Sequence, residues 1–199
     1  MAKSVEVYPL LSKEQSAERQ VEIAKGVKRF VYESTRRVDA SDAEARSVAD
    51  PNDEDQVREQ LHRMLHPPVE GTQYLGIYAD EEWRGVAKLG PWLYGDEGHY
   101  GKGRKLATRI RQLGRPLETL PAGLHVMAVN EDLTQTALEA IYFNYVPDRK
   151  PLKASVHEND QELQDAFTAI GAPMEGPRAS IKLGNYVANY VLRVLPRRE

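Results

Sequence analysis

The chain has 199 residues, 41% of them hydrophobic and 29% charged, with a formal net charge of −3 and no cysteine. Such a chain can bury a core without disulfides, and its make-up excludes a thiol nucleophile, a thiolate metal site and a global positive field for nucleic acid. No apolar run approaches the roughly 20 residues of a membrane span and the N-terminus carries no apolar leader core, so a single cytoplasmic domain over 1–199 is the expectation.

The alternation in VEVYPL predicts a first strand over 5–10. SKEQ, starting at Ser12, matches a capping box, and Ile23, Val27, Phe30 and Val31 keep helical spacing behind it. A first helix is therefore predicted over about 13–33, weakened by Gly26. Residues 34–51 are polar and read as a loop with at most one helical turn. Asn52 or Asp53 can cap a second helix, whose buried stripe is Val57, Leu61, Met64 and Leu65 and which Pro67-Pro68 stops. TQYLGIYADEEWRGVAKLG then reads as a hairpin turning at Asp80 to Glu82.

YGKGRKLATRI follows. Gly101, Lys102, Gly103 and Arg104 precede a helix in which Leu106, Ile110 and Leu113 recur, with Gly114 placed as its terminating residue. Free N–H groups at a helix start, glycines that let the backbone approach, and local positive charge suit a phosphate. A plain turn before a solvated helix fits the same residues, and neither a Walker A nor a dinucleotide-binding fingerprint is present.

The C-terminal third repeats itself. LHVMAVNEDLTQTALEAI and LKASVHENDQELQDAFTAI are each a strand, a polar turn and a helix, which favours parallel pairing of the two strands. Gly171 ends the second helix, and NYVANYVLRVLP is a last strand over 186–195. The predicted class is α/β (α+β), a mixed sheet with helices on both faces in one domain. Asn130, Glu131 and Asp132, and Glu158, Asn159 and Asp160, stand at corresponding strand ends, where open sheets bind ligands and where helix caps also belong. His62 and His66 share a helix face, but Arg63 stands where a zinc-protease helix has its glutamate, so no metal is assigned. His157 ends a strand, a place shared by catalytic and purely structural histidines. Tyr142 and Tyr145 can serve a site or be buried with satisfied hydroxyls.

The element order and the C-terminal motif resemble the GNAT-type N-acetyltransferase superfamily. VEVYPL leading into a helix is similar to that family's opening. SVHENDQELQDAFTAIGAPMEG resembles its fifth strand and fourth helix: Asn159 matches the asparagine, Phe167 the position often held by tyrosine, and Gly171 the glycine, while Ala172 replaces the usual aromatic. The family's coenzyme loop has two possible places. If 124–129 is the fourth strand, the sheet count works and 93–123 is a helical insertion between strands three and four, but NEDLTQTA has no glycine. If the loop is Gly98 to Gly103, the glycines fit, but an extra strand–helix unit must be accommodated.

The resemblance implies an acyl-coenzyme A-dependent N-acyltransferase that moves an acetyl group from acetyl-CoA to a small-molecule or peptide amine by direct attack. Main-chain groups at Met127 and Val129 would pair with the pantetheine arm in a gap between strands four and five, and Asn159 would face the coenzyme. Gly101 to Arg104 would fold back to its phosphates, Glu131 would take the amine proton, and Tyr142 would supply an acid. A homodimer is also implied. The alternative from another class is a catalytically degenerate binding module whose basic helix 104–115 contacts an acidic partner or nucleic acid.

Overall fold

The computed structural model describes residues 4–12, 14–38, 40–93, 116–172, 175–183 and 186–198. The sequence-predicted basic helix, with Gly101 to Arg104 before it and Gly114 after it, lies outside these residues.

A seven-stranded sheet runs in the order β1-β2-β3-β4-β5-β7-β6. Its strands are β1 Val5–Pro9, β2 Gln73–Ala79, β3 Glu82–Pro91, β4 Ala122–Val129, β5 Leu152–His157, β6 Glu175–Leu183 and β7 Tyr186–Leu195. Every neighbouring pair is antiparallel except β4 and β5. The helices are α1 Ala17–Arg37, α2 Asp42–Val48, α3 Glu54–Leu65, α4 Thr134–Tyr145 and α5 Gln161–Ala169.

Helices cover both faces, as the sequence predicts. On one face α4 and α5 bury Leu138, Ile141 and Phe167 against Leu75, Leu89, Leu152 and Val156. On the other, α1 and α3 bury Ile23, Val27, Phe30 and Val57 against Val86 and Ala128. Leu75, Ile77, Leu138, Ile141 and Phe167 are wholly buried, and truncating any one would cost about 2–5 kcal/mol by the usual sum of transfer and cavity terms. Arg193, on β7, points inward beneath α5, where it donates to the Ala172 carbonyl at 3.3 Å and to Gln164 Oε1 at 3.2 Å.

Three local expectations need correction. First, α1 starts at Ala17 behind an N-cap at Ser16, not at Ser12. The Ser12 N–H does donate to Gln15 Oε1 at 3.1 Å, but the Gln15 amide also reaches back to the Leu10 carbonyl at 3.0 Å. SKEQ therefore closes a turn that ends β1 instead of opening a helix. Second, 34–51 is not a loop. α1 continues to Arg37, and α2 begins with a complete capping box, Ser41 Oγ taking the Glu44 N–H at 3.2 Å and Glu44 Oε2 the Ser41 N–H at 2.8 Å. Third, β6 is an additional strand. Gly176 and Pro177 argue against a strand in sequence, but β6 is an edge with β7 as its one neighbour, and the register shift between Glu175 and Arg178 falls on those two residues.

Other expectations are met. The β2–β3 hairpin turns through Asp80 and Glu81, both in the left-handed region (φ 53° and 64°). Gly171 (φ 110°) follows α5. There the Ala172 N–H reaches the Phe167 carbonyl at 2.8 Å and the Gly171 N–H the Thr168 carbonyl at 3.1 Å, which is a Schellman ending.

Candidate functional site

The site starts from a defect in β4. Residues 126–129 pair with 85–88 on β3 in one register, while 122–124 pair with 89–91 in a register shifted by one. His125 is the extra residue. A bulge of this kind bends its strand and raises the local twist. Its ring stacks on Trp92, with centroids 6.1 Å apart and planes 9° from parallel, and a ring nitrogen lies 3.2 Å from the Pro91 carbonyl.

The bend decides how far β4 can hold β5. Their parallel pairing covers Ala122↔Leu152, Gly123↔Lys153 and Leu124↔Ala154, and it stops immediately before His125. Beyond that point the strands diverge, although each continues. β5 instead keeps its antiparallel ladder with β7 as far as His157↔Tyr190. The sheet is thus split on one side of β5 and intact on the other.

A cavity of about 490 Å³ fills the split. Its wall includes Leu124, Met127, Ala154, Val156 and Leu163 from the α4–α5 side. It also includes Val126, Ser155, His157 and Tyr190, with Val31, Ser34 and Thr35 of α1 and Val38 at its end above them. The opening therefore runs through the sheet and joins its two faces.

The edge of β4 along this opening carries main-chain groups. The Asn130 N–H donates to the Arg84 carbonyl on β3 at 3.2 Å. Alternation then turns the N–H and C=O of Val129, and those of Met127 two residues earlier, away from β3 and toward the gap. The Val129 carbonyl accepts from the Arg37 guanidinium of α1 at 2.7 Å.

At the end of β4 the chain makes a short 3-10 turn, Glu131–Leu133, and enters α4. Leu133 occupies the N-cap position with no side-chain hydrogen bond. Asn130 contributes its main-chain carbonyl, which accepts the Leu133 N–H at 3.0 Å. The N-cap position of α4 thus falls on Leu133, one residue after the cluster Asn130, Glu131 and Asp132. The second cluster behaves differently. Asp160 caps α5 by accepting the Leu163 N–H at 3.1 Å, and Glu158 Oε1 accepts from Asn189 Nδ2 on β7 at 2.7 Å. Asn159 is exposed, and its N–H donates to Nδ1 of His157 at 3.1 Å. His157 is buried at the end of β5, edge-on to Tyr190 with centroids 5.4 Å apart.

The sequence-predicted residues fall in several places. Met127 lines the cavity; Val129, the last residue of β4, is not among its lining residues and borders a separate hollow with Phe30, Arg37 and Asn130; Asn159 stands just beyond β5. Glu131 opens the turn after β4. Tyr142 is not among the cavity's lining residues. It is buried on α4 and its hydroxyl donates to the Pro196 carbonyl at 2.5 Å, while Arg198 lies 5.2 Å over its ring. Burial raises its pKa, against a smaller opposing effect of Arg198. Phe167, aligned with the family tyrosine, is wholly buried in the core. His62 and His66 have ring centroids 5.1 Å apart, and among the described residues no group of three or more potential metal ligands exists. No helix among them is long and apolar enough to cross a membrane. Sequence reasoning missed His125 and Lys88, both of which line the cavity.

No protein-family model matches the sequence, and no curated protein matches it. Solved structures do match over nearly the whole chain. A probable acetyltransferase from Staphylococcus epidermidis ATCC 12228 superposes with a TM-score of 0.55 at 13% identity, covering 96% of this chain and 98% of its own. A GNAT-family acetyltransferase from Streptococcus agalactiae 2603 gives 0.55 at 11% identity, with 98% and 96% covered. An acetyltransferase from Thermus thermophilus gives 0.51 at 14% identity, with 98% and 99% covered. The fold is that of the GNAT-type acetyltransferases, and within it the fourth strand is Ala122–Val129.

Proposed function

We propose that the protein is an acyl-coenzyme A-dependent N-acyltransferase, with acetyl-CoA as the acyl donor and an amine as the acceptor. The observation that carries this is the split between β4 and β5, which starts at the His125 bulge and leaves the β4 edge facing a through-cavity. The residues suit such a donor. A chain of secondary amides, as in a pantetheine arm, is matched by the extended main-chain edge at Met127 and Val129. The α4 start, whose N-cap residue Leu133 gives no side-chain hydrogen bond, has N–H groups and a helix dipole that suit a phosphate at the mouth of the gap. Gly101 to Arg104, with the charges of Lys102 and Arg104, are proposed to meet the same end, and Asn159 is the side chain proposed to face the coenzyme.

When bound, the coenzyme supplies a thioester carbonyl. An amine attacks its carbon, a C–N bond forms as the C–S bond breaks, and the proton lost by the nitrogen is matched by one gained by the departing thiolate, which leaves as the free thiol. The chain's own part is to hold the amine on the α1 side of the sheet and to handle that proton. His157 is suited to donate, not to accept. Its Nδ1 lone pair already takes the Asn159 N–H, so the neutral ring carries its proton on Nε2. The base is then proposed elsewhere, with Glu131 after β4 as the carboxylate assigned to it. The Tyr142 hydroxyl holds the C-terminal segment through Pro196, and no proton is routed through it.

The test is isothermal titration with acetyl-CoA, followed by thiol release over a panel of amines. The chain has no cysteine, so a thiol reagent gives no background from the protein. Saturable binding and amine-dependent thiol release are expected. No binding at millimolar coenzyme overturns the proposal. Binding without turnover on any amine favours a catalytically silent module.

A further inference from the structure

The acceptor half of the cavity carries a charge that no described residue of its walls neutralises. Lys88 lies on β3 opposite Val126, one residue from the bulge, and is half-buried. It shares a sheet face with Val86, which packs beneath α1 and α3. Its ammonium stands 5.5 Å over the Tyr74 ring, an arrangement that steadies a cation. Among the described residues no carboxylate pairs with it.

The neighbouring cations are already committed. Arg63, at the rim, bonds Glu59 at 2.5 Å, and Arg37 bonds the Val129 carbonyl. Lys28, under α2, donates to the Val48 carbonyl at 3.5 Å and to Gln56 Oε1 at 3.2 Å. Among the described residues the one carboxylate in the cavity wall is Asp160, which caps α5.

We infer that Lys88 is the anion-binding group of the acceptor site, so that the amine acylated here carries a carboxylate, as an amino acid does. This rests on the acyltransferase function proposed above and names its substrate class. The argument is electrostatic complementarity. A half-buried ammonium with hydrogen-bond donors to offer favours a monoanion beside it, and a charge-assisted bond of this kind is among the stronger single contacts. The same charge selects against other amines. A polyamine would bring further cations into a cavity whose one described acid is engaged, and an amino sugar would bring no anion for the lysine to pair with. The apolar wall of Val31, Val38, Val48 and Val69 leaves room for an uncharged side chain next to the gripped carboxylate.

The experiment compares each common amino acid with its carboxamide, and with spermidine, as acceptors for acetyl-CoA on the full chain. Titration of the same amino acids and carboxamides into the protein without coenzyme gives a second readout. A preference for carboxylate over carboxamide of about tenfold or more is expected in kcat/KM and in Kd, the worth of one charge-assisted hydrogen bond. Lys88→Met should erase it by raising KM and Kd for the carboxylate form alone, and should leave the Kd for acetyl-CoA as it was. If the carboxamides or spermidine do as well, or Lys88→Met keeps the discrimination, the inference is overturned while the acyltransferase function stands. If acetyl-CoA itself fails to bind, both fall together.

Discussion

The guanidinium of Arg37 and the main-chain carbonyl of Val129 meet at 2.7 Å, joining the last turn of α1 to the last residue of β4. That carbonyl faces a gap where no strand supplies a partner, so the arginine holds the free edge of β4 against the helix above it. Arg37→Met should lower stability by about 1 kcal/mol, less than the roughly 1.5–3 kcal/mol of a bond to a charged group because the residue is exposed. Urea unfolding measures it, and an unchanged midpoint would show that the contact contributes nothing. The variant also bares the Val129 carbonyl. If the coenzyme arm pairs there, titration with acetyl-CoA should show tighter binding for the variant than for the wild type.

Gly26 has a reason to be a glycine that helix propensity opposes. A Cβ on it would lie 2.1 Å from Trp83 Cζ3 and 2.3 Å from Cη2. The indole has little freedom to retreat, because its Nε1 donates to the Gly85 carbonyl at 2.7 Å and its ring packs edge-on against Phe30. Propensity alone would make Gly26→Ala stabilising by about 1 kcal/mol, whereas overpacking costs typically about 1–3 kcal/mol. The overpacking should win, and thermal unfolding should show a lower Tm. A raised Tm would mean that Trp83 is free to move.

What the sequence made legible was periodic. The alternation of β1 and β7, the 3.6-residue stripes of α1 and α3 and the repeated strand–turn–helix units all report burial on a regular face, and they led to the mixed sheet and the parallel β4–β5 pair. What it hid was relational. SKEQ matches a capping box at Ser12, and only the contact of Gln15 with Leu10 turns it into the end of β1. β6 breaks a strand rule that edge position relaxes. His125 looks like an ordinary strand residue, since a bulge is a property of two strands and one sequence shows only half of it. Lys88 reads as an outward-facing polar residue of a hairpin, and becomes a cavity cation only once α1 is laid across that face.

Acid should weaken the protein in part through Asp53. Its carboxylate accepts the Gln56 N–H at 3.1 Å and the Asp55 N–H at 3.0 Å at the start of α3. The backbone bond from Gln56 is the main cause that holds its pKa below the ordinary 3.8. A carboxyl whose folded pKa is depressed binds fewer protons in the folded state than in the unfolded state. Its contribution is therefore present above the unfolded pKa and is lost as pH falls through the folded one. Asp53→Ala should lower Tm near neutrality, and the gap from wild type should narrow below about pH 4. Thermal unfolding across a pH series checks this, and a constant gap down to strong acid would contradict it.

His157 supplies the sharpest test of how the site handles protons. With Nδ1 accepting the Asn159 N–H, the ring has one nitrogen left to carry its proton, and that nitrogen can only donate while the ring is neutral. Nitrogen NMR on the free protein should therefore find the Nε2-protonated tautomer near neutral pH. In catalysis such a group steadies negative charge on the breaking thioester, and removing one preorganised donor typically costs about 10²–10³ in kcat. His157→Phe should lose turnover on that scale with a smaller change in the KM for the amine. It should also leave the alkaline rise in rate, which belongs to whatever takes the amine's proton, at the same pH. A base would behave oppositely: its removal would shift or abolish that rise, and the ring would show Nδ1 protonation. Finding either of these would move His157 from donor to base and release Glu131 from that role.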